Sequence, residues 1–166
     1  MEWMDNDALA RAEFSKGHAF ERAVAEFFRA HGLCVTVGKQ SIRDDVSERH
    51  AYKGEVDLTV NGMSVEVKSR NLRKWWPTMN LCSLSSWDDG KQWVDAWVIL
   101  NRNTGEMRVC SGVAARKHAF TEETKDPGRN IKSYRVVRIA LSHLRPVSAL
   151  IEYAKNQESD SQSTHS

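Results

Sequence analysis

The cleanest alternation of apolar and polar positions falls between Lys53 and Arg70, on either side of Asn61-Gly62. Asn-Gly between two such runs is the strongest short-range hairpin signal, and a type I′ loop there fixes the register. Val60 then stands opposite Met63, Thr59 opposite Ser64, Leu58 opposite Val65, Asp57 opposite Glu66, Val56 opposite Val67 and Glu55 opposite Lys68. Strand side chains alternate between faces. One face is therefore Val56, Leu58, Val60, Met63, Val65 and Val67, an apolar core face, and the other carries Glu55, Asp57, Thr59, Ser64, Glu66 and Lys68.

Upstream, Asp5-Asn6-Asp7 offers caps for a helix starting near Ala8. From Gly17 to His31 the apolar residues Phe20, Val24, Phe27 and Phe28 recur at helical spacing, and Gly32 closes the helix. A strand over 33–37 ends at Gly38, and a polar loop follows over 39–53. Downstream, the pattern predicts a short helix or turn over 83–92, a strand over 93–100, a turn at Asn101–Gly105 and a strand over 106–110. A helix capped by Ser111 runs to His118, and 121–132 is a polar loop. A strand over 134–139 and a helix over 144–156, with Val147, Leu150, Ile151 and Ala154 on its apolar face, complete the set. This order predicts an α/β fold with a central mixed β-sheet flanked by helices. Residues 1–156 form one domain in this reading, and the Ser- and Gln-rich 157–166 a disordered tail.

Composition narrows the classes. A chain of 166 residues with 40% hydrophobic and 28% charged positions suits one soluble domain with a real core. No run approaches the ~20 apolar residues that a membrane span needs. The acidic start, Met1-Glu2-Trp3-Met4-Asp5, lacks the apolar stretch of a secretory signal, so a cytoplasmic location is expected. Cys34, Cys82 and Cys110 show no CxxC pairing, and the histidines no HxxxH spacing, which argues against a zinc site. Net charge is +2, and removing the tail's Glu158 and Asp160 leaves a body at +4, compatible with a polyanionic partner.

The hairpin's polar face poses a problem of charge. Two carboxylates at a cross-strand spacing of about 5 Å repel by roughly 3 kcal/mol at an effective dielectric near 20. A proton or a bound cation at Asp57 and Glu66 offsets this, and clustered carboxylates suit a hard divalent ion. Lys68 points to the same place. The bland alternative is a solvated face on which Glu55 and Lys68 form a surface ion pair of small value. Lys16, Arg43, Arg49, Lys53, Arg70, Arg73 and Lys74 supply cations around this face. Interleaved with Trp75-Trp76, the later ones suit phosphates and bases, while core or dimer-interface roles for the tryptophans stay equally open.

Gly54-Glu55-Val56-Asp57-Leu58 followed by Glu66-Val67-Lys68 resembles the signature of the PD-(D/E)xK nuclease superfamily. Lys16-Gly17-x-x-x-Glu21-Arg22 is similar to the helical Glu motif of its archaeal-type Holliday junction resolvases, so the likeness spans roughly residues 15 to 75. The resemblance implies a restriction-endonuclease-like core and Mg²⁺- (or Mn²⁺-) dependent hydrolysis of DNA phosphodiesters. It implies Asp57, Glu66 and the backbone carbonyl of Val67 as metal ligands. Lys68 would orient the attacking water and stabilise charge, and Glu21 would complete the site. Glu55 is a reserve ligand. Cutting both strands calls for two sites, hence a homodimer. The competing readings are a non-catalytic nucleic-acid-binding protein on a nuclease scaffold, and an assembly protein that uses Trp75, Trp76, Trp87, Trp93 and Trp97 as interface residues.

Overall fold

Asn61 and Gly62 both take positive φ, 47° and 84°, as a type I′ turn requires. They join β2 (Leu58–Val60) to β3 (Met63–Arg70) in the expected register, Leu58 against Val65, Thr59 against Ser64 and Val60 against Met63. The computed structural model describes residues 19–38, 56–124 and 134–163. The helix expected near Ala8, the whole loop expected over 39–53, and Lys16, Arg43, Arg49, Lys53 and Glu55 lie outside the described residues.

The β2–β3 pairing ends at Leu58, earlier than the alternation predicts. Asp57 occupies a bend, and its carbonyl accepts a 2.8 Å hydrogen bond from the Gly38 N–H. A Cβ on Gly38 would stand 2.2 Å from the Val56 carbonyl oxygen, so only glycine permits this approach. Val56 consequently leaves the apolar face of the hairpin and packs in a different cluster. The remaining residues of that face behave as expected: Leu58, Val60, Val65 and Val67 are buried and Met63 packs against them.

β1 (Val35–Val37) pairs with β2, and β3 pairs in parallel with β5 (Ala96–Asn101). β5 continues to β6 (Met107–Ser111) and to the two-residue β9 (Arg145–Pro146). The result is a mixed six-stranded sheet in the order β1-β2-β3-β5-β6-β9. On one face lie α1 (Ala19–Ala30) and α4 (Val147–Ser163), which bury Val24, Ala25, Phe28, Val147, Leu150 and Ala154 against Leu58, Val65, Val98 and Leu100. On the other lies a second sheet of β4 (Thr78–Ser83), β8 (Tyr134–Ala140) and β7 (Phe120–Thr124), in the order β4-β8-β7. Met79, Leu81, Val137 and Ile139 pack there on Trp97, Ile99 and Cys110. The architecture is α/β, a central mixed sheet flanked by helices.

Several boundaries differ from the sequence pattern. β4 falls where no strand is predicted, and β7 lies in the expected 121–132 loop. β7 is an edge strand with almost every residue exposed, so it carries no apolar alternation to read. β5 starts at Ala96 rather than Trp93, because Gly90 at φ 120° opens a 3₁₀ turn over Lys91–Trp93. α4 starts after Leu144, since Arg145 and Pro146 pair with β6, and it runs past Asn156 to Ser163. Trp97 is fully buried, which removes it from any interface set, while Trp93 is 68% exposed. Among the described residues no helix is long and apolar enough to cross a membrane.

The β3–β4 connection is held by one buried amide. Asn101, 1% exposed, accepts from the Leu72 N–H and donates to the Leu72 carbonyl, each at 3.1 Å. Its oxygen also accepts from the Asn103 N–H at 3.1 Å. Asn101→Ala strands the buried Leu72 N–H, while the Leu72 carbonyl keeps the Asn103 Nδ2 donor at 3.1 Å. It is expected to destabilise the protein by about 2 kcal/mol, from roughly 1–3 kcal/mol per orphaned group, read as a lower urea midpoint with unchanged m.

Candidate active site

The alternation along β3 sends Val65 and Val67 toward the helices and Glu66, Lys68 and Arg70 toward the second sheet. Glu66 lies in parallel register with Trp97 of β5 and is only 2% exposed. Burying a carboxylate requires compensation. Lys91 provides part of it, with its Nζ 2.6 Å from Glu66 Oε1. Local chemistry delivers that lysine. Ser83 ends β4 and caps α2 (Leu84–Asp88) by accepting from the Ser86 N–H, and Gly90 then turns the chain so that Lys91 opens the 3₁₀ turn.

Asp57 completes the cluster from the bend. Its Oδ2 accepts a 2.9 Å hydrogen bond from the Val67 N–H, on the edge of β3 that β2 has just left. The N–H and C=O of a strand residue leave the backbone on the same side, so the Val67 carbonyl shares the edge that faces Asp57. Glu66 responds to these surroundings: burial first, then the Asp57 charge, push its carboxyl up from 4.5 to about 7, against the lowering effects of Lys91 and Lys68. Cys82 of β4 joins the same group. Burial pushes its thiol up to about 11, while the charges of Lys68, Glu66 and Lys91 all reach it. Beside them the Trp97 indole N–H is buried and finds no hydrogen-bond partner among the described residues. Lys68 is half-buried and takes no hydrogen bond or ion pair among the described residues.

The sequence-expected residues are thus partly united. Asp57, Glu66, the Val67 backbone and Lys68 converge at the end of the β2–β3 pairing. Glu21 does not join them: it sits half-buried in the first turn of α1, in the helical layer. Among the described residues no three His, Cys, Asp or Glu side chains form a group able to hold a metal ion. Trp75 is not a free stacking platform, because its Nε1 donates to Glu106 Oε2 at 2.5 Å and the Arg108 guanidinium lies 5.0 Å over its ring. Trp76 is 48% exposed, and Arg73 and Lys74 are exposed beside it. Sequence reasoning missed Lys91 and Cys82. Gly90 was a visible turn signal, but nothing local marked the lysine after it as the partner of an acid on a distant strand.

The donors suit a hard divalent ion as far as they go. One oxygen of Glu66 is engaged by Lys91 and one of Asp57 by Val67, which among the described residues leaves Asp57 Oδ1, Glu66 Oε2 and the Val67 carbonyl, an all-oxygen set. Compared with models of known protein families and with curated proteins, the chain shows no match.

The raised Glu66 value has a defined consequence. Between pH 4.5 and about 7 the folded protein keeps a proton that the unfolded chain releases, so stability falls as pH rises through that window. The fall is of order 3 kcal/mol, at about 1.4 kcal/mol per unit. Urea unfolding at pH 5 and pH 8 in chelator is expected to show it in the natural protein. It should be much smaller in Glu66→Gln and larger in Lys91→Met, which strips Glu66 of its neutralising ammonium.

Proposed function

We propose that this protein is a Mg²⁺- or Mn²⁺-dependent endodeoxyribonuclease, with branched DNA as the substrate class that its motif resemblance implies. One observation carries the reading. Two carboxylates meet at the frayed end of a hairpin, beside a strand-edge carbonyl and a lysine with no partner among the described residues. A divalent ion bound there would supply an acidified water and neutralise the phosphate.

The chain's own residues do the rest. Asp57 and Glu66 hold the ion through their remaining oxygens. Asp57 also fixes the Val67 peptide through its N–H, and so aims the neighbouring carbonyl. Lys68 projects from the same face of β3 as Glu66, where its ammonium stabilises charge that develops on the phosphoryl oxygens. Lys91 keeps Glu66 ordered and charge-compensated. Glu21, placed in the helical layer, contributes at most through a water or a rearrangement of α1. A homodimer would serve two-strand cleavage, and a cytoplasmic location fits a DNA substrate.

The Glu66–Lys91 contact favours a second reading, a non-catalytic nucleic-acid-binding protein in which lysine has taken over the role of the ion. A panel of labelled duplex, nicked, flap, four-way and single-stranded DNA separates the two. The nuclease reading expects nicking with Mg²⁺ or Mn²⁺, lowered by about 10²-fold or more in Asp57→Ala, Glu66→Ala and Lys68→Ala at unchanged circular dichroism. DNA binding with no cleavage of any substrate, and no rise in Tm on adding Mn²⁺, selects the second reading.

A further inference from the structure

We infer that the cleft between α4 and the helix-facing side of the main sheet, at the end where β9 stops short, binds a small carboxylate with an apolar body. The site lies across the sheet from the Asp57–Glu66 cluster, since Ala96 and Val109 face the helices while Trp97, the neighbour of Glu66, faces the second sheet. It is independent of the nucleic-acid reading.

The cleft follows from the strand order. β9 has two residues and pairs only with Arg108 and Val109, so among the described residues no strand covers the outer edge of β6 at Cys110 and Ser111. The 3₁₀ turn Leu141–His143 bounds the gap on one side and the start of α3 (Gly112–His118) on the other. Met63, Ala96 and Val109 on the sheet and Leu150 on α4 line the space, all from the apolar layer between sheet and helix. Ala114 and Ala149 also face it, and their short side chains leave it unfilled. The cavity measures about 500 Å³, within the roughly 300–1,000 Å³ of small-molecule sites. Burial pushes the Cys110 thiol up to about 12, so that part of the wall is uncharged. The mouth lies at Val113 and Tyr153, which are 67% and 55% exposed.

The charges in the lining choose the ligand. Arg145 and His143 line the β9 end of the cleft. Arg145 stands directly opposite Val109, so its side chain leaves the sheet on the same face, toward α4. It makes no hydrogen bond or ion pair among the described residues. His143 is steadied by stacking on His118, with ring centroids 3.9 Å apart. The only acid among the described lining residues is Asp95, whose Oδ2 already accepts from the Ser64 N–H at 2.9 Å and the Ser64 hydroxyl at 3.2 Å. Asp95 precedes Ala96, the partner of Ser111, so two strand spacings and three residues along β6 set it roughly 14 Å from Arg145. The guanidinium thus stands at one end of an apolar space with no acid near enough to pair with it. A carboxylate offers the planar two-oxygen partner that guanidinium binds best. The apolar body then lies against Val109 and Leu150, where its burial drives association.

The test is calorimetric titration of the full chain with octanoate and with octan-1-ol, which carries the same apolar body without the charge, at constant ionic strength. The natural protein should bind octanoate saturably and about tenfold more tightly than the alcohol. Arg145 is exposed and unpartnered among the described residues, so Arg145→Gln should keep the fold. It should bring octanoate down to the affinity of the alcohol and leave the alcohol unmoved. Ala149→Leu fills the cavity from α4 and Ala114→Leu from α3, and each should abolish binding of both compounds. Glu66→Gln should bind octanoate as the natural protein does, and a loss of binding there overturns the placement. Equal affinities for acid and alcohol, or an Arg145→Gln variant that matches the natural protein, overturn the carboxylate assignment. Absence of saturable binding of either compound at millimolar concentration overturns the site. Light scattering that shows a dimer split by Val113→Asp, with no octanoate bound, gives the cleft to a second copy of the chain and overturns the small ligand.

Discussion

A carboxylate sealed between two sheets sets the terms for the rest of this molecule. The effective penalty for desolvating one ion in a protein is several kcal/mol, a large share of the 5–15 kcal/mol by which whole domains are stable. Glu66 bears that penalty and the repulsion of Asp57 as well. The surroundings answer with Lys91 at 2.6 Å and with Lys68 close enough to lower the carboxyl's affinity for a proton. The answer shapes the chain. A five-residue helix, a glycine at φ 120° and a 3₁₀ turn between β4 and β5 together deliver one ammonium to one oxygen. A core glutamate with no role beyond packing would be replaced at lower cost by a leucine.

The second constraint is where the hairpin stops pairing. Had β2 continued to Val56, the edge of β3 at Val67 would be consumed by the ladder and Asp57 would stand as an ordinary cross-strand residue. Instead Gly38 crosses against Val56 at a distance no side chain tolerates, and the chain bends at Asp57. The carboxylate then replaces a strand as the partner of the Val67 N–H. Site and fold share a cause here: the crossing that ends the ladder also turns an acid inward.

Legibility in the sequence follows the range of each interaction. Asn61-Gly62 fixes its turn through its own backbone preferences, and the register of three residue pairs follows from it, so that part was readable. The apolar face was readable down to Leu58 and failed at Val56, because the Gly38 contact that breaks the alternation comes from a different strand. α1 was legible from Phe20, Val24 and Phe28, and α3 (Gly112–His118) from its Ser111 cap. β4 was not, because Cys82 and Ser83 are half-buried beyond a register shift and the Met79/Leu81 alternation is short. Among the tryptophans, Trp97 is core and Trp93 is exposed, although the two are four residues apart in one apolar run. Trp93 ends the 3₁₀ turn outside β5, whereas Trp97 lies on the face of β5 that the second sheet covers. Asp57, Glu66 and Lys68 were visible as a motif. Lys91 was not, since an ion pair between distant segments leaves no local signature.

Lys91 and a divalent ion are alternative ways of neutralising the same charge, and the oxygen inventory shows that they need not exclude each other. Lys91 engages Oε1 of Glu66, and the Val67 N–H engages Oδ2 of Asp57. One oxygen of each acid is left over, together with a carbonyl on the same strand edge. An ammonium compensates one unit of charge, whereas the two carboxylates carry two when both are ionised. Burial first, and the Asp57 charge second, make Glu66 hold its proton up to about pH 7 even with Lys91 and Lys68 nearby. A second cation would release this proton, and the affinity of such a site for a cation then rises with pH across the neutral range.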